Sequence, residues 1–325
     1  MIHSRIIGTG AYYPEKILTN IDLEKMVDTS DQWITERTGI KSRHIAAKDE
    51  PCSEMAYKAA LNAIDMAGIK TSDIDGIIFA TLTPDYTLPC AATILQKRLG
   101  ISGSFAFDMN VACTGFVYAL AIANCMIKSG QCKTILIASA ERLSPLVNYK
   151  DRTTCILFGD AAGCAILRAD GEPGVRSVTI HADGTYGNEL FMHGMGSTYL
   201  ANRDTMDVED CLLTMNGGEI FKQAVRLMTE ASLQAVADSG LKLSDIDFIV
   251  PHQANIRIIE AIANRLETDM DKVVINLDRR GNTSAATIPT ALDEAIRDGR
   301  IKKGDNLIMP AFGGGVTWGA ALLTM

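Results

Sequence analysis

The sequence predicts an α/β protein built from two similar halves, and three observations carry that reading. The chain repeats itself: Ala59–Thr81 (AALNAIDMAGIKTSDIDGIIFAT) and the stretch from Ala231 (ASLQAVADSGLKLSDIDFIVPHQ) align at an offset of 172 (240 − 68), with ten identities in 23 positions. Each copy reads as amphipathic helix, glycine C-cap, polar turn and apolar strand. The strands are rich in Ile and Val without polar alternation, the pattern of sheets covered on both faces. Generic helix–glycine–strand units share far fewer identities, so duplication is the better account, and a repeat dictates architecture.

Taken along the chain, Met-Ile-His-Ser-Arg-Ile-Ile-Gly lacks the basic-then-apolar pattern of a signal peptide and reads as a strand. Phe105–Asn110 (FAFDMN) is a short buried strand, followed by Val-Ala-Cys-Thr-Gly-Phe and an apolar helix over Val117–Ile127 with Gly130 as its C-cap. Lys133–Ala140 (KTILIASA) matches Asp305–Phe312 (DNLIMPAF) at the same offset. At a slightly different one, Gly163-Cys-Ala-Ile-Leu matches Gly319-Ala-Ala-Leu-Leu, both strands. Asp170-Gly-Glu-Pro-Gly174 is the best boundary, which gives halves of 1–170 and 171–325.

Composition excludes several classes. At 325 residues the chain exceeds the usual single core and suggests two units. No apolar run approaches the roughly 18–20 residues of a membrane span, so no membrane association is expected. The net charge of −8 argues against generic nucleic-acid binding. Eight cysteines without a C-x-x-C pair indicate neither a zinc site nor a disulfide framework. Reduced thiols in a cytoplasmic protein fit best.

Cys113 is the candidate nucleophile. It stands where a strand feeds a helix, at the positive end of the helix dipole, a setting that lowers a thiol's pKa. A free cysteine there could also be a small core residue. The rest of the chain favours chemistry. His252, in Pro251-His-Gln-Ala-Asn255, follows the apolar strand Phe248–Val250, and strand ends are where open α/β sheets place their sites. The other four histidines, His3, His44, His181 and His193, have less suggestive neighbours. Asn282, in Gly281-Asn-Thr-Ser-Ala-Ala, offers an amide donor that does not titrate, or a cap for a helix over Ala285–Ile296. Cys113 and the Gly281-Asn-Thr-Ser segment fall at corresponding places in the repeat, each before an apolar helix. Phe312-Gly-Gly-Gly-Val-Thr-Trp318 follows the strand Leu307–Met309, and its glycines let backbone N–H groups approach a ligand. No phosphate-cradling glycine pattern competes with this reading.

These segments, in order with Thr29-Ser-Asp-Gln-Trp-Ile, Arg37-Thr-Gly-Ile and Phe158-Gly-Asp, resemble the β-ketoacyl-acyl-carrier-protein synthase III family of the thiolase-like superfamily. The resemblance spans essentially the whole chain. It implies a five-layered α-β-α-β-α thiolase-like fold and a homodimer. It also implies initiation of type II fatty-acid synthesis by decarboxylative condensation of an acyl-CoA, acetyl-CoA foremost, with malonyl-acyl-carrier protein through an acyl-cysteine. By the family's pattern Cys113, His252 and Asn282 are catalytic. Backbone N–H groups of Cys113 and Gly314 hold the oxyanion, His252 Nε2 and the Asn282 amide hold the enolate, and Phe312 crowds the malonyl carboxylate. No metal or cofactor is implied.

The resemblance further assigns Trp33 and Arg152 to the CoA adenine, with Arg37 and Thr38 as additional CoA contacts. Asn255 and Phe221 border the pantetheine arm, and Leu88 sits at the acyl-pocket floor, reaching the neighbouring subunit. Lys222, Arg257 and Arg265 attract the acidic carrier protein and the CoA phosphates, Arg257 serving both. Without the resemblance, Trp33 would read as packing, Arg152 as a surface ion pair and the cations as solvated helix faces. The chain departs from the family pattern at Asn264, Thr153 and Leu88, where a basic residue, glycine and an aromatic residue respectively are usual, and Glu260 adds a negative charge near Asn264, which bears on carrier-protein affinity. A secondary-metabolite condensing enzyme with another primer or acceptor is the alternative. A cysteine hydrolase and a non-catalytic acyl-CoA binder are the more distant ones.

Overall fold

Two sheets of matching strand order make up the core of the chain. A computed structural model describes residues 2–192, 194, 196–202 and 204–325; His193 lies outside the described residues. The first sheet runs His3–Tyr12, Ala161–Asp170, Thr134–Glu141, Gly76–Ala80, Phe105–Met109. The second runs Val175–Ala182, Thr317–Thr324, Asn306–Gly313, Phe248–Ile249, with Val273 bridged to Ile249 at the far edge. In both, the first two pairings are antiparallel and the third is parallel. Thr134–Glu141 and Asn306–Gly313 start and end 172 residues apart, the offset of the sequence repeat.

The repeated turn is built by the same atoms twice. Gly68 and Gly240 close their helices in the left-handed region, at φ 62 and 76, which glycine adopts without strain. Asp73 then accepts from Lys70 N, and Asp245 from Lys242 N, at 2.9 and 2.8 Å. Asp75 and Asp247 tie each turn to the next strand by accepting from Thr134 N and Asn306 N.

Five layers follow. Helices Cys52–Ala67 and Ala91–Arg98 cover the outside of the first sheet, where Met55, Leu95, Ile77, Phe79 and Leu136 meet. Helices Gly217–Ser239 and Ile256–Arg265 cover the outside of the second, against Ile308 and Leu322. Between the sheets lie Gly115–Lys128 and Thr287–Arg297, with Leu120, Leu292, Ile137, Leu307 and Met309. Successive residues of one strand feed opposite cores: Leu307, Met309 and Ala311 point inward, Ile308 and Phe312 outward. Strands with two apolar environments have no polar face, hence the missing alternation. Each fully buried Leu or Ile contributes about 2 kcal/mol. This is the thiolase-like five-layered arrangement that the sequence predicts.

Two helix boundaries differ from the sequence reading. The central helix runs Gly115–Lys128, and Gly130, at φ 78, stands one residue beyond the C-cap Ser129, donating to Ile127 O. The helix expected from Ala285 starts at Thr287, because Ser284–Ala286 first forms a 3₁₀ turn. Ala112–Thr114 forms the same turn ahead of Gly115. Their first residues, Ala112 and Ser284, both adopt left-handed φ, 47 and 51, a conformation that non-glycine residues enter at a cost and that gathers at functional sites. Among the described residues no helix is long and apolar enough to cross a membrane.

Candidate active site

Cys113 sits in the 3₁₀ turn Ala112–Thr114 that leads into the first central helix, and Gly313 presses against it. A Cβ on residue 313 would stand 2.8 Å from Cys113 N, so only glycine permits this approach. Thr114 and Thr317 hydroxyls, 2.8 Å apart, fasten the cysteine turn to the glycine loop. The repeat therefore brings the end of one half's strand onto the other half's helix start.

Asn282 is placed by a cross-connection between the halves. Its N donates to Leu157 O at 2.8 Å and its O accepts from Gly159 N at 3.0 Å. The side-chain Oδ1 accepts from Ser284 N at 2.8 Å, which turns Nδ2, a donor, away from that turn. This is a local cap of the 3₁₀ turn, so the capping role and the donor role belong to opposite ends of one amide. His252 follows its strand directly, with its N bonded to Pro310 O at 2.9 Å. Its Nδ1 lies 2.7 Å from Thr287 Oγ1, and burial lowers its pKa to about 3, so the ring is neutral at ordinary pH.

A cavity of about 800 Å³ collects Cys113, His252, Asn282 and Phe312 at its buried end. Trp33, Arg37, Thr38, Arg152, Phe221, Lys222, Asn255 and Arg257 line the same cavity, with the cations exposed. Twelve of the residues read from the sequence thus share one channel. A second cavity of about 310 Å³ continues past the thiol, lined by Leu82, Leu143, Phe158, Leu213, Ser284 and Gly314 among others. Cys113 borders both.

Several expectations are amended. The thiol is not activated in the resting protein: Cys113 is only 6% exposed, and burial pushes its pKa up to about 12. Desolvation of a thiolate outweighs the helix-end field in a closed pocket. Arg37 and Arg152 both stack on Trp33, with Cζ 4.7 and 5.1 Å from the ring centroid, so the aromatic face is already covered. Arg152 also donates to Asp28 O and lies 3.8 Å from the Asp28 carboxylate, a surface ion pair of the kind expected as its plainer role. Asn255 caps Ile256–Arg265 by accepting from Arg257 N, and donates to Arg37 O, which holds two lining residues together. Arg257 lies over Phe221 at 5.7 Å. Leu88 lines neither cavity of its own chain and is 87% exposed. Arg265, in the last turn of its helix, is exposed and also lies outside both. Gly314 borders the smaller cavity and not the channel.

Comparison with known proteins decides the lineage. The family described as 3-oxoacyl-[acyl-carrier-protein (ACP)] synthase III matches residues 107–184, and its C-terminal region matches 236–325. The β-ketoacyl-[acyl-carrier-protein] synthase III 1 of Vibrio parahaemolyticus is 52% identical over 322 residues, covering 99% of each chain. The chain belongs to the 3-oxoacyl-acyl-carrier-protein synthase III family. The crystal structure of the synthase III from Aquifex aeolicus VF5 superposes with a TM-score of 0.93 at 44% identity, covering 99% of this chain and 100% of that one. The priming β-ketosynthase of the R1128 polyketide pathway superposes at 0.94 with 33% identity, covering 99% and 96%.

Within this synthase III fold the sequence reading missed Thr287, Glu141 and most of the apolar wall. Thr287 lies directly after the quoted Gly281-Asn-Thr-Ser-Ala-Ala, and its distance from His252 along the chain hides the pairing. Leu82, Leu143 and Leu213 carry no chemical signal and are brought together only by the fold.

Proposed function

We propose that the protein initiates fatty-acid synthesis by condensing an acyl-CoA primer with malonyl-acyl-carrier protein, with release of CO2 and CoA. The observation that carries this is the channel from exposed cations to Cys113, His252, Asn282 and Phe312. In the first half-reaction the Cys113 sulfur attacks the primer thioester and CoA leaves. The amides of Cys113 and Gly314 are the donors for the thioester oxygen, and Gly313 keeps the two segments close. In the second, malonyl-carrier protein occupies the emptied channel. Loss of CO2 leaves an enolate, whose carbon attacks the acyl-cysteine. Asn282 Nδ2 and His252 Nε2 stabilise that enolate, and a preorganised donor of this kind contributes roughly 3–4 kcal/mol. Phe312 supplies the apolar surround in which a carboxylate is disfavoured and CO2 is not. Thioester energy and these donors suffice, so no metal or bound cofactor takes part.

Arg37, Arg152, Lys222 and Arg257 give the channel opening a positive rim on a chain of net charge −8, suited to the CoA phosphates and then to an acidic carrier protein. Arg265 extends the rim, while Glu260 and Asn264, exposed on the same helix, weaken it. A homodimer is part of the proposal. Phe105–Met109 is an edge strand left half-buried along its length, and an uncovered apolar edge favours a second copy. A cytoplasmic location, with no membrane or nucleic-acid partner, completes it.

A second reading keeps the reaction and changes the primer. The cavity of about 310 Å³ beyond the thiol exceeds the needs of an acetyl group, which supports longer or branched acyl-CoAs and a role closer to a polyketide priming enzyme. Incubation with competing acyl-CoAs, followed by malonyl-carrier protein, distinguishes the two by the mass of the acyl-enzyme.

A further inference from the structure

Glu141 is a buried carboxyl with no assigned work. It ends the strand Thr134–Glu141, is 0% exposed, and makes no ion pair among the described residues. Its Oε2 takes three donors: Thr83 Oγ1 at 2.7 Å, Thr81 Oγ1 at 3.2 Å and Leu82 N at 3.2 Å. Its Oε1 has only a long contact from Leu82 N, 3.3 Å, and so keeps room for a proton. A charge buried without a cation is expensive unless it can be neutralised.

The turn that starts at Ser284 packs both on the strand that ends at Glu141 and on the turn that holds the nucleophile. Ser284 is held at left-handed φ 51, and its buried hydroxyl has no hydrogen-bond partner at normal geometry. It borders the same small cavity as Cys113 and Leu82, and it favours the ionised form of both Cys113 and Glu141. A strained residue that carries an unpaired buried hydroxyl beside two ionisable groups calls for a functional account. Burial raises the Glu141 pKa to about 7, so the carboxyl exchanges a proton in the working range. Cys52, 3.2 Å from Thr83 Oγ1, is a further ionisable group beside Glu141, and Asp85, which accepts from Ser53 N, faces Cys52 in turn.

We propose that Glu141 is the proton acceptor for Cys113, linked to it by the Ser284 hydroxyl. As the sulfur bonds to the thioester carbon, the S–H bond breaks and its proton passes to Ser284 Oγ. Ser284's own hydrogen moves to Glu141 Oε1. The C–S bond to CoA breaks, and the CoA thiolate takes a proton from solvent in the open channel. Glu141 stays neutral throughout the acyl-enzyme stage and returns its proton, by the same path, to the Cys113 thiolate that condensation releases. Storing the proton as a neutral acid avoids a buried carboxylate next to the acylated sulfur.

This inference rests on Cys113 being the acylated residue, and its test separates the two. Single-turnover acylation by acetyl-CoA is followed by intact mass from pH 5.5 to 9 for the full-length protein, Glu141→Gln and Ser284→Ala. Thermal melting checks that each variant is folded. At neutral pH both substitutions slow acylation by about a hundredfold, the usual scale for losing a positioned base. The parent shows a break near Glu141's titration that Glu141→Gln lacks, and Glu141→Asp restores part of the rate. Acylation by Glu141→Gln at the parent rate or faster, or with the break retained, overturns the relay while leaving the functional reading intact. Absence of any acyl-Cys113 in the parent overturns the functional reading itself.

Discussion

His252 Nδ1 lies 2.7 Å from the hydroxyl of Thr287, which also stands 2.9 Å from the Ser284 carbonyl oxygen, an acceptor only. One hydroxyl hydrogen faces two neighbours. Turned to Ser284 it leaves the imidazole proton on Nδ1; turned to His252 it moves that proton to Nε2, the nitrogen left for the channel.

Enolate stabilisation needs Nε2–H, so Thr287 acts as a positioning residue. Thr287→Val lowers malonyl-dependent CO2 release by about tenfold, a fraction of what a full donor supplies, and acyl-Cys formation changes little. Thr287→Ser keeps the hydroxyl and restores the rate. Both half-reactions are followed side by side; equal losses in the two contradict this role.

The resting thiol is protected by burial. With its pKa pushed up to about 12, Cys113 is almost wholly protonated near neutrality, and only the thiolate reacts with alkylating agents. Iodoacetamide at pH 7 therefore modifies the exposed Cys125 before Cys113, and the Cys113 share rises with pH. Peptide mapping reads the order. Faster modification of Cys113 at pH 7 means that the pocket opens far more than the closed structure allows.

Gly313→Ala places a methyl 2.8 Å from Cys113 N, a contact that backbone must move to relieve. Such a shift separates the two oxyanion donors, and acylation falls by about a hundredfold. The melting temperature falls as well, since strain against fixed backbone costs about 1–3 kcal/mol. An active, equally stable Gly313→Ala protein excludes the tight packing of cysteine turn on glycine loop.

Leu88 concerns primer length. It is exposed in its own chain, as a residue that completes a neighbour's pocket is before association. In the proposed homodimer, phenylalanine there narrows the far end of the neighbour's small cavity. Each methylene that fits contributes about 0.8 kcal/mol, a factor of about four, so Leu88→Phe shifts competition from butyryl-CoA towards acetyl-CoA by that order per carbon. Unchanged ratios place the pocket floor elsewhere, and sedimentation shows whether the protein pairs at all.

The halves were legible because the same residues solve the same local problem twice: glycine to end a helix, aspartate to hold the turn, an apolar strand to follow. Cys113 and His252 stood out as reactive residue types at a helix start and a strand end, whereas Asn282 joined them only through the family resemblance, and the fold brings all three to one cavity. The thiol's raised pKa was not, because the helix end is written in local sequence while the burial that overrides it is tertiary. Thr287 and Glu141 stayed hidden for a related reason. A threonine within an apolar helix and a glutamate at a strand end look ordinary until His252 and Ser284 are folded against them.

In the proposed reaction Cys113 carries the primer and passes it to a malonyl-derived enolate. The most direct measurement is intact mass of the protein after incubation with acyl-CoA, before and after malonyl-carrier protein is added, with CO2 counted in parallel. One acyl group per chain is expected, located on Cys113 by peptide digestion. It should be discharged only when malonyl-carrier protein arrives, with one CO2 released per acyl group lost, and be absent in Cys113→Ala. An acyl group on another cysteine, or its loss to water without CO2 release, contradicts the account.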